Sequence, residues 1–398
     1  MNTRETDILV AGGGVAGLTA AVAFGAAGFR VICVDPALTT PNKAAPKLDL
    51  RTTAFLRPAR DLLERSGVWP LFTEPPAPLQ VMRIMDISGG AAPVTRSFDA
   101  NDIGADAFGW NLRNSVIKEA LLQRSATLQQ VELRPGVGVT DLVPRETETR
   151  VTLTDGEVVA ARMVVACDGR DSPVRSAVGL TARTLRYGQK ALSFAVSHPT
   201  PHDNVSTEIH DVGGPFTLVP LPDHDGNPAS AVVWMTDGPD AQRLSGLPRK
   251  AFEIAATARS DGALGPLSLL SGPQVWPIIS RIANRLNGPR TALIGEAAHV
   301  VPPIGAQGLN MSLADLDVLL ALAETSPSDL GSRAMLDEFH RRRYPDLVAR
   351  VAGIDALNRA SMAGAPLLQT LRRTGLKAFH DVPGIRTTLM KLGLGTGT

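Results

Sequence analysis

Short continuous apolar runs alternate with stretches of helical period along the first part of the chain. Residues 7–11 (DILVA) predict a strand that runs into glycines, and residues 12–28 (GGGVAGLTAAVAFGAAG) predict a glycine turn and an Ala-rich helix stopping at Gly28. Residues 30–34 (RVICV) predict a second strand, ended by Asp35. Two strands joined by a helix make a right-handed βαβ crossover, so these two are expected to be parallel. Residues 55–63 carry helical apolar spacing closed by Gly67, and residues 75–106 read as loop with alternating segments such as VMRIMDI. A helix resumes near Asn114. Residues 131–167 predict strands with a hairpin at Asp155-Gly156, the last of them (163–167) returning to the first sheet.

The pattern changes over residues 187–276. ALSFAV, FTLVPLP and SAVVWMT are strand-like runs separated by Pro, Gly and Asp turns, as in an inserted antiparallel sheet. TALIG then brings the chain back to the first domain, and a helix is expected over residues 309–323. The tail from Leu336 reads as helical, broken at Pro345, Pro366 and Pro383. The expected fold class is α/β, a Rossmann-like βαβ domain with an inserted antiparallel β-sheet substrate domain and a helical C-terminal tail.

Composition narrows the classes. The 398 residues suffice for more than one domain length. Lys+Arg 40 against Asp+Glu 39 gives no electrostatic reason to expect nucleic acid as a partner. The two cysteines, Cys33 and Cys167, lie in apolar runs, which fits neither a disulfide framework nor a metal site and suits a reducing compartment. The segment MNTRETDILVAGGG lacks a signal-peptide layout, and no apolar run reaches the roughly 20 residues of a membrane span. The expectation is a cytoplasmic protein, soluble or peripheral to the inner face of the membrane.

Gly12, Gly14 and Gly17, with Val15 and Ala16 between the last two, form G-x-G-x-x-G directly after a strand and at a helix start. The first glycine makes the tight turn, the second admits a pyrophosphate to the backbone, and the third lets helix and strand touch. Helix N-terminal amides and the macrodipole then hold the phosphates. Asp35 stands where an acid takes ribose hydroxyls. This predicts a dinucleotide and leaves NAD and FAD open. An NAD-linked dehydrogenase would continue its sheet through a second mononucleotide half; this chain makes an antiparallel insert instead and returns twice.

Two further segments carry a resemblance. ACDGRDSPVRSAVG (166–179) turns at Asp168-Gly169 after a strand, with Arg170 and Arg175 able to meet phosphates. GEAAHVVPPIGAQGLN (295–310) ends a strand with Glu296 and His299, stacks Pro302 and Pro303, and opens a helix with Gly305 and Gly308. With the glycine turn, and in this order, they resemble the flavoprotein aromatic hydroxylases of the para-hydroxybenzoate hydroxylase type, nearest the ubiquinone-biosynthesis branch. The resemblance spans nearly the whole chain. It implies FAD, with Asp168 and Gly169 near the flavin pyrophosphate and the acid of the last motif on the ribityl chain. It implies the loop Pro302, Pro303 and Gly305 beside the ring, and Gly308, Leu309 and Asn310 at a helix N-terminus facing the ring's pyrimidine end. It also places Arg51 and Arg113 as flavin contacts. The family pattern usually has Asp where this chain has Glu296, one methylene longer. His299 has no partner at metal spacing and is expected to be structural.

By the same resemblance the FAD-binding domain comprises residues 1–74, 111–186 and 285–335. The segment 75–110 is substrate-domain or loop, 187–284 the antiparallel substrate domain and 336–398 the helical tail. The implied activity is a monooxygenase that hydroxylates an aromatic ring through a flavin C4a-hydroperoxide, with NADH, NADPH or a protein as electron donor and O₂ as co-substrate. The apolar insert suits a hydrophobic aromatic substrate, a prenylated phenol or quinone precursor. Tyr187, His198 and His210 are the candidates for activating a phenol, and the sequence does not rank them. The tail, with Arg372, Arg373, Lys377, Arg386 and Lys391 among Leu, Phe and Met, is expected to pack on its own domain, membrane or complex contact being the second expectation. Two alternatives stay open. One is an FAD oxidoreductase of another substrate; its halogenase form would carry W-x-W-x-I, which is absent. The other is a flavin-bearing scaffold subunit, for which Glu296 is the only hint.

Overall fold

The computed structural model describes residues 3–38, 51–88 and 93–362, with Gly384, Arg386, Thr387 and Met390 of the tail. One sheet runs in the order Asn287–Gly288, Thr291–Leu293, Val158–Ala166, Arg4–Ala11, Val31–Asp35, Val131–Pro135. All neighbours after the first pair are parallel. Ile8, Leu9 and Val10 are fully buried, as are Met163, Val164 and Val165. Continuous hydrophobic runs are what a parallel sheet covered on both faces demands, because no side of such a strand meets water. Helices Val15–Ala26, Asn114–Ala126 and Gln307–Thr325 provide cover, with Leu18, Ile117 and Leu316 in the same core.

The second sheet has nine strands. Its main path is His299–Val300, Gln274–Ala283, Ala182–Ser197, Asn227–Asp237, Gly214–His224, Val205–Asp211, Val81–Asp86, Val94–Asp99. Its outer face carries Leu192, Phe194, Phe216, Val232 and Trp234, packed on Leu244 and Phe252 of helices Gly238–Ser245 and Arg249–Arg259. On the inner face, Ala191, Met235 and Val233 cluster with Ile278, Tyr187 and Ile304, a residue of the Pro302-Pro303 loop. The sheet therefore roofs that loop, and the two-stranded ladder Arg281↔Val300 and Ile282↔His299 stitches loop and roof together.

Three expectations are corrected. Phe55 lies in a strand, Thr52–Leu56, and the helix begins only at Arg57, with Pro58 in its first turn. Proline's fixed φ suits a first turn, while Phe55 is claimed by antiparallel pairing with Trp110. The segment read as loop from Pro75 supplies two strands to the roof, Val81–Asp86 pairing in parallel with Val205–Asp211. Pro345 does not break the tail helix, which runs Arg333–Met362. Pro345 and Arg341 are exposed, so the carbonyl that loses its partner meets water, while Phe339, Leu347 and Ile354 hold the helix to the core. Pro366 and Pro383 lie outside the described residues, as do Arg372, Arg373, Lys377 and Lys391. Of the described tail residues, Arg386 pairs with Asp102 and Met390 packs beside Ala100 and Phe108.

Candidate flavin site

Four residues from four segments stand in one row across the parallel sheet: Val34, Ala11, Ala166 and Leu293. Each is followed within two residues by a singled-out position, so Asp35, Gly12, Asp168-Gly169 and Gly295-Glu296 emerge together at the carboxyl edge. That edge is where open α/β sheets bind ligands.

Backbone contacts weld the motifs. A Cβ on Gly12 (φ +109°) would stand 2.2 Å from the Cys167 carbonyl oxygen, and one on Gly17 would stand 1.8 Å from the Gly12 carbonyl oxygen. No side chain fits at either position. Gly14, by contrast, has nothing within 4 Å of its ideal Cβ, so its missing side chain leaves room for a ligand and not for protein. It caps a helix whose first turn has no acidic residue and no side-chain cap. Asp35 receives the Gly13 N–H on one carboxylate oxygen and the Ala37 N–H on the other. The acid thus braces the turn; Gly13, against whose Cβ position the Asp35 side chain sits, was not singled out from the sequence.

In the second motif Gly169 adopts φ +88°, completing the turn after the strand. Asp168 accepts the Val174 N–H at 3.0 Å through Oδ2, while its Oδ1 is buried without a partner. Burial, outweighing hydrogen bonds from Ser172 and Val174 and the charge of Arg175, holds its carboxyl above the usual carboxylate range. A buried acceptor without a donor is costly, and it fits a ligand hydroxyl.

Arg175 is not available to phosphates. Its guanidinium is buried and donates to the Ala297 carbonyl (2.8 Å) and the Arg170 carbonyl (3.0 Å), tying the second motif to the third. Arg170 meets Glu296 at 3.2 Å across the same junction. Glu296 keeps about half its side chain exposed, at 52%.

In the third motif His299 Nε2 bonds Asp315 Oδ2 at 2.9 Å, and Asp315 Oδ1 accepts from Arg343 Nε at 2.8 Å. Histidine and aspartate are fully buried, so this chain fixes the loop to helices Gln307–Thr325 and Arg333–Met362, a structural role. Pro302, Pro303 and Gly305 (φ +62°) form the turn before the helix, and Ala306 is left-handed at φ +56°. The helix then starts without a side-chain cap or an acid in its first turn, and Gly308 faces open space. Its amides are therefore available to a partially negative ring edge.

The chain matches the FAD-binding-domain family over residues 5–352. It belongs to this family. Ubiquinone hydroxylase UbiL of Rhodospirillum rubrum is 31% identical over 396 residues, covering 99% of this chain and 90% of that protein. The 3-demethoxyubiquinol 3-hydroxylase of Escherichia coli is 25% identical over 404 residues, covering 99% and 100%. Among solved structures, p-nitrophenol 4-monooxygenase PnpA from Pseudomonas putida DLL-E4 shares the fold with a TM-score of 0.79 at 19% identity, covering 100% of this chain and 99% of that one.

The residues fit FAD: open space at Gly14 and Gly308, two uncapped helix starts and the orphaned Asp168 Oδ1 all ask for a polar, phosphate-bearing ligand. The remaining candidates are committed to protein contacts. Asn310 accepts the Leu56 N–H (2.8 Å) and donates to the Ala54 and Ala306 carbonyls, pinning the strand Thr52–Leu56 to the helix start. Leu309 is half-buried beside the core. Arg113 pairs with Glu74, and the Arg51 guanidinium lies 5.6 Å from the Trp276 ring centroid. No helix among the described residues is long and apolar enough to cross a membrane.

Proposed function

We propose that this member of the FAD-binding family is an aromatic hydroxylase of ubiquinone biosynthesis, acting on a prenylated phenol or quinone precursor with NADH or NADPH as electron donor. The overall change is ring C–H plus O₂, reduced nicotinamide and a proton going to ring C–OH, water and oxidised nicotinamide. The observation that carries the proposal is the apolar inner roof face over the loop that follows Glu296. Ala191, Met235, Val233, Ile278 and Ile304 form it, with no carboxylate clamp among them. The names of the relatives support the pathway.

When bound, FAD supplies the activation of O₂; the protein supplies position, field and dryness. Gly12, Gly14 and the Val15–Ala26 helix start would hold the pyrophosphate, and Asp35 the ribose. Asp168 and Glu296 would hold hydroxyls of the cofactor chain. Amides at the start of Gln307–Thr325 would stabilise negative charge on the ring. The proline loop and roof exclude water from the reacting oxygen. Arg386 and Met390, described residues of the tail, contact Asp102, Ala100 and Phe108 of this chain, which favours packing over membrane contact at those two positions.

The test is an absorption spectrum of the FAD-loaded protein, then anaerobic addition of NADH or NADPH with and without 2-geranylphenol. Bleaching accelerated by the phenol, and hydroxylated product once air is admitted, are expected. A protein that takes up no FAD, or one whose bound FAD neither nucleotide reduces, would refute the respective half.

A further inference from the structure

Three side chains of the roof can in principle handle a phenolic proton, and their surroundings rank them. His198 is fully used: Nδ1 donates to the Thr200 carbonyl at 2.8 Å, and Nε2 receives the Ser230 hydroxyl at 2.9 Å. The Tyr187 hydroxyl is also occupied, donating to Asp355 Oδ1 (2.6 Å) and bonded to Ser280 Oγ (2.7 Å). Burial, with Asp355 second, pushes it up to about 12. His210 differs. Its Nε2 lies 2.8 Å from Glu208 Oε1, and its Nδ1 is buried without a hydrogen-bond partner. Glu208 stands beside Nε2 at ion-pair distance, and in the tautomer with its proton on Nε2 the Nδ1 lone pair has no donor.

Register places the pair on the inner face. Glu208 pairs with Thr217, Thr217 with Val233, and residues directly paired across strands share a face. Val233 belongs to the cluster around Ile304 of the cofactor loop, and His210 is two residues from Glu208 on the same face. Two strand spacings separate Val233 from Glu208, roughly 10 Å. Thr217, which lies between them, carries no charge; on the other side of Glu208 the same row continues through Ile84 to Arg96. Asp86, paired with His210 on the next strand, is turned to the Ser88 amide and hydroxyl. His210 and Glu208 keep only 14% and 17% of their side chains exposed, so a charge arising there would be weakly screened.

We propose that His210 is a catalytic residue: its Nδ1 accepts the hydroxyl proton of the phenolic substrate, with Glu208 holding the ring and stabilising the imidazolium. The O–H bond breaks as the N–H bond forms, and the electron pair stays on the phenolate oxygen, which enriches the ring carbon to be oxygenated. The step needs no oxidant. Once the ring has been oxygenated, the proton returns to the product oxygen.

This rests on the aromatic-hydroxylase assignment, and its test is a binding experiment on the oxidised, FAD-loaded protein, which requires no turnover. The probes are 2-geranylphenol and its O-methyl ether, read by perturbation of the flavin spectrum. Wild type should bind the phenol roughly five- to tenfold more tightly than the ether. In His210→Leu the preference should vanish. His210→Asn puts a carbonyl oxygen near the Nδ1 position and should restore most of it. FAD content and melting temperature verify that each variant is folded. A preference that survives in His210→Leu, or a wild type that binds both probes equally or neither, overturns the proposal. A protein that shows the His210-dependent preference yet hydroxylates nothing would keep the subsite and remove the hydroxylase assignment.

Discussion

The two sheets that meet at the site hold it by different means. On the parallel sheet the work falls to backbone: four strand ends in register, glycines against carbonyls, and a guanidinium spent on two carbonyls of neighbouring motifs. On the roof it falls to apolar side chains around Val233 and Met235, interrupted by polar ones that include Tyr187, Glu208 and His210. Backbone geometry tolerates almost no substitution, whereas an apolar face can be repacked at modest cost. We therefore expect the cofactor edge to be rigid in sequence, and substrate choice to be set by the roof.

Four substitutions sharpen this contrast, in falling order of effect. Asp315→Ala leaves Arg343, whose side chain is 11% exposed, without its buried carboxylate, and should cost about 3–5 kcal/mol in urea unfolding. A loss below 1 kcal/mol would show that the loop is anchored elsewhere. Gly17→Ala pushes a methyl into the Gly12 carbonyl; we expect a loss of about 3 kcal/mol and protein purified largely without flavin. Retention of full FAD content would mean the turn can open without harm. Val233→Ala should cost only about 1 kcal/mol and leave FAD content intact, while KM for a prenylated phenol rises; unchanged KM would remove Val233 from the roof of the substrate.

Asp168→Asn should have the smallest effect on stability and a specific one on pH dependence. Burial raises the folded-state pKa of Asp168 above 3.8, so the folded protein binds its proton more tightly than the unfolded chain. That contribution is present at low pH and is lost as pH rises through the raised value. Without FAD, the variant should lose this decline when melts are compared across the acid range, yet its FAD affinity should fall. An unaltered pH profile would contradict the burial argument.

The turns at the carboxyl edge of the parallel sheet were legible in the sequence because they are local. A glycine turn between strand and helix, or Asp168-Gly169 after a strand, needs only its neighbours to be interpreted. The misread elements depend on distant partners. The strand Thr52–Leu56 donates its Leu56 N–H to a side chain 254 residues away, Asn310, which no window of helical spacing contains. Arg175 looks like a phosphate ligand until the Ala297 carbonyl, 122 residues on, claims it. The strands from Val81 to Asp99 looked like loop because half of their pairing is supplied by Val205–Asp211. Likewise His198, Tyr187 and His210 were equivalent as letters and separated only by what each ring or hydroxyl touches.

The row Val34, Ala11, Ala166, Leu293 also bears on how the protein is made. Its first two members leave the ribosome early, but the row is complete only when Leu293 has emerged, and Asn310 must follow before Thr52–Leu56 is pinned. A nascent chain carrying the glycine turn therefore has no finished carboxyl edge through most of its synthesis. Long-range closure of this kind is slow and leaves strand edges open to wrong partners. Added FAD should accordingly rescue the refolding of the full chain, and give no protection to fragments that stop before residue 293.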